Sequence, residues 1–292
     1  MKKVFTIVIA FSLSIPGFAQ LEDRFGFLTQ SEVEKYVQPL GTTLGMAFNS
    51  ASYYSARVPD FFKFSFSLRG MYIIIPDADR TFTPEINKPG YDTNIPTATV
   101  YGGEGTAYYG PDGYIAYPPG IDESALPFAL PQVSASVMGT EVMLRYLPSI
   151  KLGDENKLNM FGFGIKHTIS RYIPLLPVDI AVQFLYNSLE VTNVMNLTAY
   201  AINAHASKSF GVFTAYGGFQ YESSSFDIEY TYTDPNGTNP ILDGTKIKAD
   251  IKGDNNFRFT FGGALKLAVI VINADLGIGS QLVASTGLTF EF

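Results

Sequence analysis

Apolar and polar residues alternate along most of the chain, and this period of two is the feature that most restricts its fold. In the stretch 61–75, Phe62, Phe64 and Phe66 take even positions, whereas Lys63 and Ser65 take odd ones. Successive side chains of a strand point to opposite faces, so such a stretch builds a strand with one apolar and one polar face. The alternation recurs in 131–137, 141–146, 161–170, 179–187, 196–207, 213–222, 256–266, 270–276 and 282–292. The sequence therefore predicts an all-β fold.

The composition narrows the kind of β-protein. Charged residues make up 16% of the chain and aromatic residues 14%, whereas about 25% of a soluble domain is charged. No segment after residue 19 has the roughly 20 apolar residues that a membrane helix needs. Such a chain is either a large soluble β-protein or a transmembrane barrel. The net charge of −7 argues against a nucleic-acid partner, which requires a basic face.

The two ends of the chain favour the barrel. Lys2 and Lys3, the apolar run 4–15 and the small-x-small triplet 17–19 are typical of a signal peptide over residues 1–19. The chain lacks cysteine and ends in Phe292. The amphipathic last strand with its terminal aromatic residue looks like the signal that the barrel-assembly machinery of Gram-negative bacteria recognises. We therefore expect an outer-membrane protein surrounded by lipid, with both termini in the periplasm.

The repeats predict a transmembrane, antiparallel, up-and-down β-barrel of about ten strands over residues 59–292, since such barrels use even numbers from 8 upward. Long connections at 76–130, 151–157, 188–195 and 233–250 alternate with short ones near 138–140, 173–177, 208–211 and 267–268. Long loops belong outside the cell and short turns face the periplasm. The tyrosines of the long extracellular loop 76–130 could add a hairpin, which would raise the count to twelve.

Residues 20–58, called here the leader, read as a mostly helical segment. Ser31 and Glu34 have capping-box spacing, and Val33, Tyr36, Val37 and Leu40 form one helical stripe. Pro39 and Gly41 are expected to weaken the helix before a small, aromatic and polar stretch. We predict an N-terminal helical plug or periplasmic segment. The residues predicted to form the plug are Tyr36, Leu40, Phe48, Asn49, Tyr53 and Tyr54.

Several stretches resemble an uncharacterised family of Gram-negative outer-membrane β-barrels, a domain of unknown function. They are PLGTTLGMAFNSASYYSA (39–56), FKFSFSLRGMYIIIPDADRTFTP (62–84), GTEVMLRYLPSIKLGD (139–154), LNMFGFGIKHTISRYIPLLPVDIAVQF (158–184) and the last strands from Phe257. The resemblance implies the barrel fold and no established activity. A helical leader before a barrel is also distantly similar to the FadL-type transporters of hydrophobic compounds, in which the leader is a hatch.

Charged residues fall on the strand face opposite the apolar one and are expected in the lumen. A narrow barrel is largely filled by side chains, so we expect a self-paired network; a polar conduit or binding site is the alternative. The predicted lumen residues are Lys63, Arg69, Glu141, Arg145, Lys166, Asp179, Glu222, Arg258, Lys266 and Asp275.

Little in the sequence predicts catalysis. The two histidines, His167 and His205, lie near serines, but no nucleophile-elbow motif accompanies them. The pair Asp77 and Asp79 lacks the spacing of a full calcium loop. We expect no enzyme, no metal and no cofactor. The sequence favours a barrel that binds or passes a small hydrophobic molecule; the alternative is a structural or accessory subunit of an outer-membrane protein complex.

Overall fold

The computed structural model of the chain describes residues 28–86, 88–92, 94–152, 156–173, 175–192, 195–231 and 244–292. The predicted signal peptide and residues 20–27 of the leader lie outside the described residues. One α-helix, α1 (Gln30–Phe48), precedes the strands. The strands are β1 (Lys63–Ile74), β2 (Thr81–Phe82), β3 (Thr97–Ala98), β4 (Ala107–Gly110), β5 (Gly113–Ala116), β6 (Ala125–Val137), β7 (Thr140–Leu152), β8 (Asn156–Thr168), β9 (Asp179–Val191), β10 (Met195–Phe210), β11 (Phe213–Thr231), β12 (Lys246–Lys252), β13 (Phe257–Leu267), β14 (Ile270–Ile278) and β15 (Leu282–Glu291).

The large sheet closes on itself as a ten-stranded antiparallel barrel, which confirms the predicted fold. The strands pair around the barrel in the order β1, β6, β7, β8, β9, β10, β11, β13, β14 and β15. Closure comes from β15 against β1, in a ladder that runs from Ser65 opposite Glu291 to Ile74 opposite Leu282. Closure pairs the first barrel strand with the last, whereas β12 pairs only with β11 among the described strands.

One barrel strand is interrupted. The half of β11 from Ser225 to Thr231 pairs with β12, and the half from Phe213 to Tyr221 pairs with β13. In the short break between β12 and β13, Asn255 is fully buried. Its side chain accepts a hydrogen bond from Ser224 Oγ at 2.8 Å, so a buried amide side chain ties the break to the neighbouring strand.

The alternation of apolar and polar residues in the sequence corresponds to the outer and inner faces of the barrel. On β1, Phe64, Tyr72 and Ile74 point outward, whereas Ser67 and Arg69 are buried inside. Large apolar side chains are exposed on every barrel strand that the structure describes except β12. An apolar outer face of this kind suits contact with lipid rather than with water.

The connections at the two ends of the barrel differ. At one end, called here the turn end, two-residue turns join β6 to β7, β10 to β11 and β13 to β14. Met138 and Gly139 have positive φ values of 51° and 74° in the first of these turns, as tight hairpin turns require. Phe292 lies at the same end, where its backbone N–H donates to Phe64 O at 2.8 Å. The opposite end, called here the loop end, carries the long connection between β1 and β6.

That long connection folds into a compact cap, defined here as residues 75–124. A 3-10 helix, Asp77–Arg80, is followed by the small sheets β2–β3 and β4–β5. The hairpin expected among the tyrosines exists, but it forms a separate two-stranded sheet and adds no strand to the barrel. The strand β6 begins at Ala125, inside the range 76–130 that the sequence predicted as loop.

The leader helix differs from the sequence prediction at both ends. Its N-cap is Thr29, whose backbone N–H and hydroxyl donate to the Glu32 carboxylate, so the predicted Ser31–Glu34 pair is not the capping box. The helix also continues through Pro39 and Gly41 to Phe48, because both residues are buried against the barrel wall. Packing overrides the intrinsic cost of these two residues. Among the described residues, no helix is long and apolar enough to cross a membrane.

Candidate functional site

The described part of the leader, residues 28–58, occupies the barrel lumen from one end to the other. Near the loop end, Tyr36 O accepts a hydrogen bond from Val100 N of the cap at 2.9 Å. Midway, Phe48 O accepts one from Arg145 of β7 at 2.6 Å. Near the turn end, Val58 N donates to Thr168 Oγ1 of β8 at 2.9 Å. The lumen and its leader therefore form one continuous structure, and this is the candidate functional site.

The half of the lumen toward the loop end is an apolar core. The stripe of α1 that includes Val33, Val37 and Leu44 is at most 1% exposed. It belongs to one apolar cluster with wall residues such as Ile73 and Leu197. Phe48 meets Phe128 of β6 edge to face, with ring centroids 5.2 Å apart. The helix and the wall are thus packed together as one apolar core.

Two glycines let the helix approach the wall. A Cβ added at Gly45 would overlap the Ser224 side chain of β11, and one added at Gly41 would lie 3.3 Å from Phe226 Cβ. The close approach also brings the Ser224 hydroxyl within 3.4 Å of Gly41 O. Gly41 was expected to weaken the helix, whereas in the structure it lies where the helix packs on the wall.

Two arginines of the wall bind the C-terminal end of the helix. Arg145 donates to Phe48 O at 2.6 Å and to Ser50 O at 2.9 Å. Arg258 of β13 donates to Met46 O at 3.0 Å. The last carbonyls of a helix have no partners within the helix and carry its negative partial charge. Guanidinium groups satisfy both needs, so these arginines hold the leader in place.

Amide side chains of the wall form further hydrogen bonds with the leader just after the C-terminal end of the helix. Asn49 Oδ1 accepts from Asn187 Nδ2 at 3.2 Å, and Asn49 O accepts from Gln220 Nε2 at the same distance. Ser52 Oγ donates to Gln183 Oε1 at 3.0 Å.

Seven of the ten predicted lumen charges are buried in the structure, and they pair only in part. Two ion pairs join Lys166 to Glu141 at 2.9 Å and Arg258 to Glu222 at 2.6 Å. Asp275 accepts from Tyr216 OH at 2.7 Å. The predicted lumen residues that are buried are Arg69, Glu141, Arg145, Lys166, Glu222, Arg258 and Asp275.

Arg69 and Arg145 form no ion pair with the described residues. Arg69 Nη1 donates to Asn273 Oδ1 at 2.8 Å, and its guanidinium lies 5.4 Å from the ring centre of Tyr54 in the leader. Asp179 is half-buried and likewise has no ion pair in the described part of the chain. The charges therefore hold the leader as well as one another.

Lys63 and Lys266 lie at the turn end and share one carboxylate. Glu291 of β15 accepts from Lys63 at 3.0 Å and from Lys266 at 2.5 Å, and Tyr54 OH also donates to it. Glu291 was absent from the predicted network although it alternates in phase with Thr289 on the lumen face. The strand phase could have identified it.

All six predicted plug residues contact the barrel or the cap. Tyr36 OH donates to Pro119 O of the cap at 2.8 Å, Leu40 and Phe48 belong to the apolar core, and Asn49, Tyr53 and Tyr54 lie among the wall side chains.

The cap is fixed to the first turn of the helix. Tyr117 OH donates to the Glu32 carboxylate, and burial, together with this bond, raises the pKa of Tyr117 above its ordinary value. Gln281 connects the cap to the barrel, because its Nε2 donates to Asp79 Oδ2 at 2.8 Å and its Oε1 accepts from Thr43 Oγ1 at 3.0 Å. The cap, helix and barrel thus share contacts at the loop end.

The histidines and the Asp77–Asp79 pair show no shared catalytic or metal geometry in the described residues. His205 is buried, stacks on Tyr53 with centroids 3.8 Å apart and bonds Asn203 at 2.8 Å. His167 bonds Thr140 at 2.8 Å and Tyr172 at 3.0 Å. Among the described residues, no three His, Asp or Glu side chains are placed to hold a metal ion.

The comparisons with known proteins give one family and a set of barrels. The model of a family of unknown function, DUF6588, matches residues 1–292. No curated protein matches the chain.

The similar solved structures include the outer-membrane protease OmpT from Escherichia coli, with 10% identity, 83% of this chain and 100% of that chain covered, and a TM-score of 0.34. The β domain of the Bordetella autotransporter BrkA shares 9% identity over 79% of this chain and 98% of its own, with a TM-score of 0.33. The outer-membrane channel DcaP of Acinetobacter baumannii shares 9% identity over 83% of this chain and 100% of its own, with a TM-score of 0.21.

Proposed function

The chain belongs to the family of unknown function DUF6588, and we propose that it is an outer-membrane barrel that stays closed and acts as a structural or accessory component. The occupied lumen carries this proposal. The apolar half is packed around α1, and the polar half bonds the backbone of the leader through Arg145 and Arg258. Conduction would require these contacts to break. Lipid is the proposed environment of the outer face, and the barrel-assembly machinery is the proposed partner during biogenesis.

The surface for an accessory role is the cap. Tyr109 and Tyr114 of its β4–β5 hairpin are 75% and 63% exposed, with ring centroids 6.0 Å apart, and Ile95 is 53% exposed. Exposed aromatic side chains on a folded, anchored segment are typical of protein contact sites. We propose that an outer-membrane protein partner docks on this cap.

Conductance in planar bilayers tests the closed state. One of the proteins measured is a variant in which a disulfide fixes the leader to the barrel wall. The hydroxyls of Ser55 and Ser207 lie 3.4 Å apart, and the chain has no cysteine, so the double substitution Ser55→Cys and Ser207→Cys gives a single cross-link. We expect no channel currents from the wild type or from either redox form of the variant. Currents in the wild type and in the reduced variant that vanish when the variant is oxidised would contradict the proposal.

Binding or passage of a small hydrophobic molecule is the second candidate. A cavity of about 600 Å³ at the turn end favours it, since ligand sites span about 300–1,000 Å³. Passage would also require the leader to move, so the same cross-link separates the two functions. Transport would stop on oxidation, whereas attachment of a partner to the cap would continue.

That the protein is not an enzyme stays a prediction. The surroundings of the two histidines support it, because the ring of His205 is stacked and buried and His167 bonds a threonine and a tyrosine.

A further inference from the structure

The cavity at the turn end exists because the leader follows one wall of the barrel. Ala56 N donates to Ser207 Oγ of β10 at 2.9 Å, and Val58 N donates to Thr168 Oγ1 of β8 at 2.9 Å. The leader then crosses to β1. The space beside β13, β14 and β15 remains unfilled, with a volume of about 600 Å³.

Part of the cavity lining is apolar. Val58 of the leader, Ala264 of β13 and Val271 of β14 are 6%, 3% and 1% exposed. Phe61 lines the cavity too and is 71% exposed. Among these four side chains, Phe61 offers the exposed surface for a short apolar group.

The charged part of the lining carries excess positive charge. Three cations, Arg57, Lys63 and Lys266, face two carboxylates, Asp60 and Glu291. Asp60 already pairs with Arg171, which lies outside the lining, at 3.0 Å. Glu291 alone serves both lysines. Arg57 is exposed and forms no ion pair with any described residue. One carboxylate thus faces three cations.

We propose that this cavity binds a small amphipathic anion, a carboxylate or phosphate joined to a short apolar group. Lys266, whose side chain is 56% exposed, and Arg57 contact the anion. Phe61 contacts the apolar group. Charge-assisted hydrogen bonds to lysine and arginine suit both kinds of anion. Such binding goes beyond the accessory role, because a closed barrel can also bind a ligand in this cavity. It also rests on the second candidate function, the binding of a small hydrophobic molecule, and specifies that this molecule is an anion.

Protection of one engineered cysteine tests the proposal. Thr214 lines the cavity, so the Thr214→Cys variant of the full chain gives a single thiol whose reaction with neutral N-ethylmaleimide reports occupancy. We expect hexanoate and hexyl phosphate to slow the reaction in a saturable manner, whereas hexanol, hexylammonium and inorganic phosphate should not. Equal protection by hexanol and hexanoate, or protection by hexylammonium, would overturn the anion proposal.

Charge variants in the Thr214→Cys background locate the anion. Lys266→Gln should raise the apparent Kd for hexanoate about fivefold, the effect of losing one partly exposed ion pair. Lys208→Gln is the matched control, since Lys208 is exposed near the same end but does not line the cavity. Equal effects of the two substitutions would overturn the assignment to Lys266.

Two further probes identify the source of the anion. Vesicles that contain phosphatidylglycerol are compared with vesicles of phosphatidylcholine alone, each against soluble hexyl phosphate. Protection by the anionic lipid only would assign a lipid headgroup, and protection by soluble hexyl phosphate would assign a free molecule. Protection by none of the anions would overturn the proposal. Planar-bilayer conductance is a separate readout, so failure here leaves the closed-barrel proposal intact.

Discussion

At the residue scale, the positions of the lumen charges follow from strand phase, but their partners do not. The alternation along β7 places Arg145 inside the barrel. Its contacts with Phe48 O and Ser50 O join residues more than ninety positions apart in the chain. A backbone carbonyl gives no signal in the sequence, so such a contact could not be predicted from residue types. The sequence therefore predicted that the lumen charges pair with one another, whereas in the structure Arg145 and Arg258 also bind the backbone of the leader.

Arg145→Met tests the role of this arginine. The substitution leaves two leader carbonyls and Gln132 Oε1 without their donor. We expect a loss of about 2–3 kcal/mol in the free energy of unfolding, since hydrogen bonds to charged groups contribute that much. Urea titration of the folded barrel, followed by its heat-modifiable gel mobility, measures the loss. Arg57→Met is the matched control and should change stability little, because Arg57 is exposed. Equal stability of the two variants would refute the assigned role.

At the scale of elements, the positions of the barrel strands could be predicted from the sequence, but the C-terminal end of α1 could not. A period of two depends only on the local sequence and on an apolar environment at one face of the strand. The helix continues past Pro39, which is buried, because packing of the helix in the lumen outweighs the lost hydrogen bond, and this packing depends on the whole barrel. The segment that forms the cap was predicted as part of a long loop. Its fold depends on contacts such as Tyr117 with Glu32 and Tyr36 with Pro119, which join segments distant in sequence.

Alanine at the two helix glycines tests how closely α1 packs on β11. In an isolated helix, either substitution would stabilise by up to about 1 kcal/mol. At Gly45 the new Cβ overlaps Ser224, whereas at Gly41 it lies 3.3 Å from Phe226 Cβ. We therefore expect Gly45→Ala to destabilise the protein by about 1–3 kcal/mol, and Gly41→Ala to change stability little. Chemical denaturation of both variants gives the comparison. The same result at both positions would contradict the packing described.

At the scale of the whole molecule, closure depends on the last strand. The ladder between β15 and β1 includes Phe66 opposite Phe290 and Ser65 opposite Glu291, and Phe292 bonds Phe64 in both directions. Glu291 also neutralises Lys63. One short segment thus carries backbone pairing, a buried ion pair and the terminal aromatic residue.

Deletion of Phe290–Phe292 should therefore prevent assembly. Unpaired backbone groups in hydrocarbon cost several kcal/mol each, by order of magnitude. We expect the truncated chain to be absent from the outer-membrane fraction. Fractionation with a test of heat-modifiability measures this, and Phe210→Ala, which alters an exposed aromatic residue of the same end, serves as control. Truncated protein recovered from the outer membrane in folded form would count against this role.

The path of the leader also fixes how the described chain is arranged across the membrane. Gln30 is exposed at the start of α1, where Tyr36 and Glu32 meet the cap. Phe292 lies at the turn end, so these two parts of the chain lie at opposite ends of the barrel. The placement of both termini in the periplasm stays a prediction, since residues 1–27 lie outside the described residues.

Single cysteines measure this arrangement in intact cells, because the wild type has none. If long loops face outward, a membrane-impermeant maleimide should label Gln30→Cys and Tyr109→Cys, both exposed near the cap. Lys208→Cys, exposed near the turn end, should react only after the outer membrane is permeabilised. The inverse pattern would reverse the orientation but keep the threaded leader. Labelling of Tyr109→Cys without Gln30→Cys, when both react in purified protein, would show that the leader enters from the turn end, because one path through the lumen cannot begin at both ends.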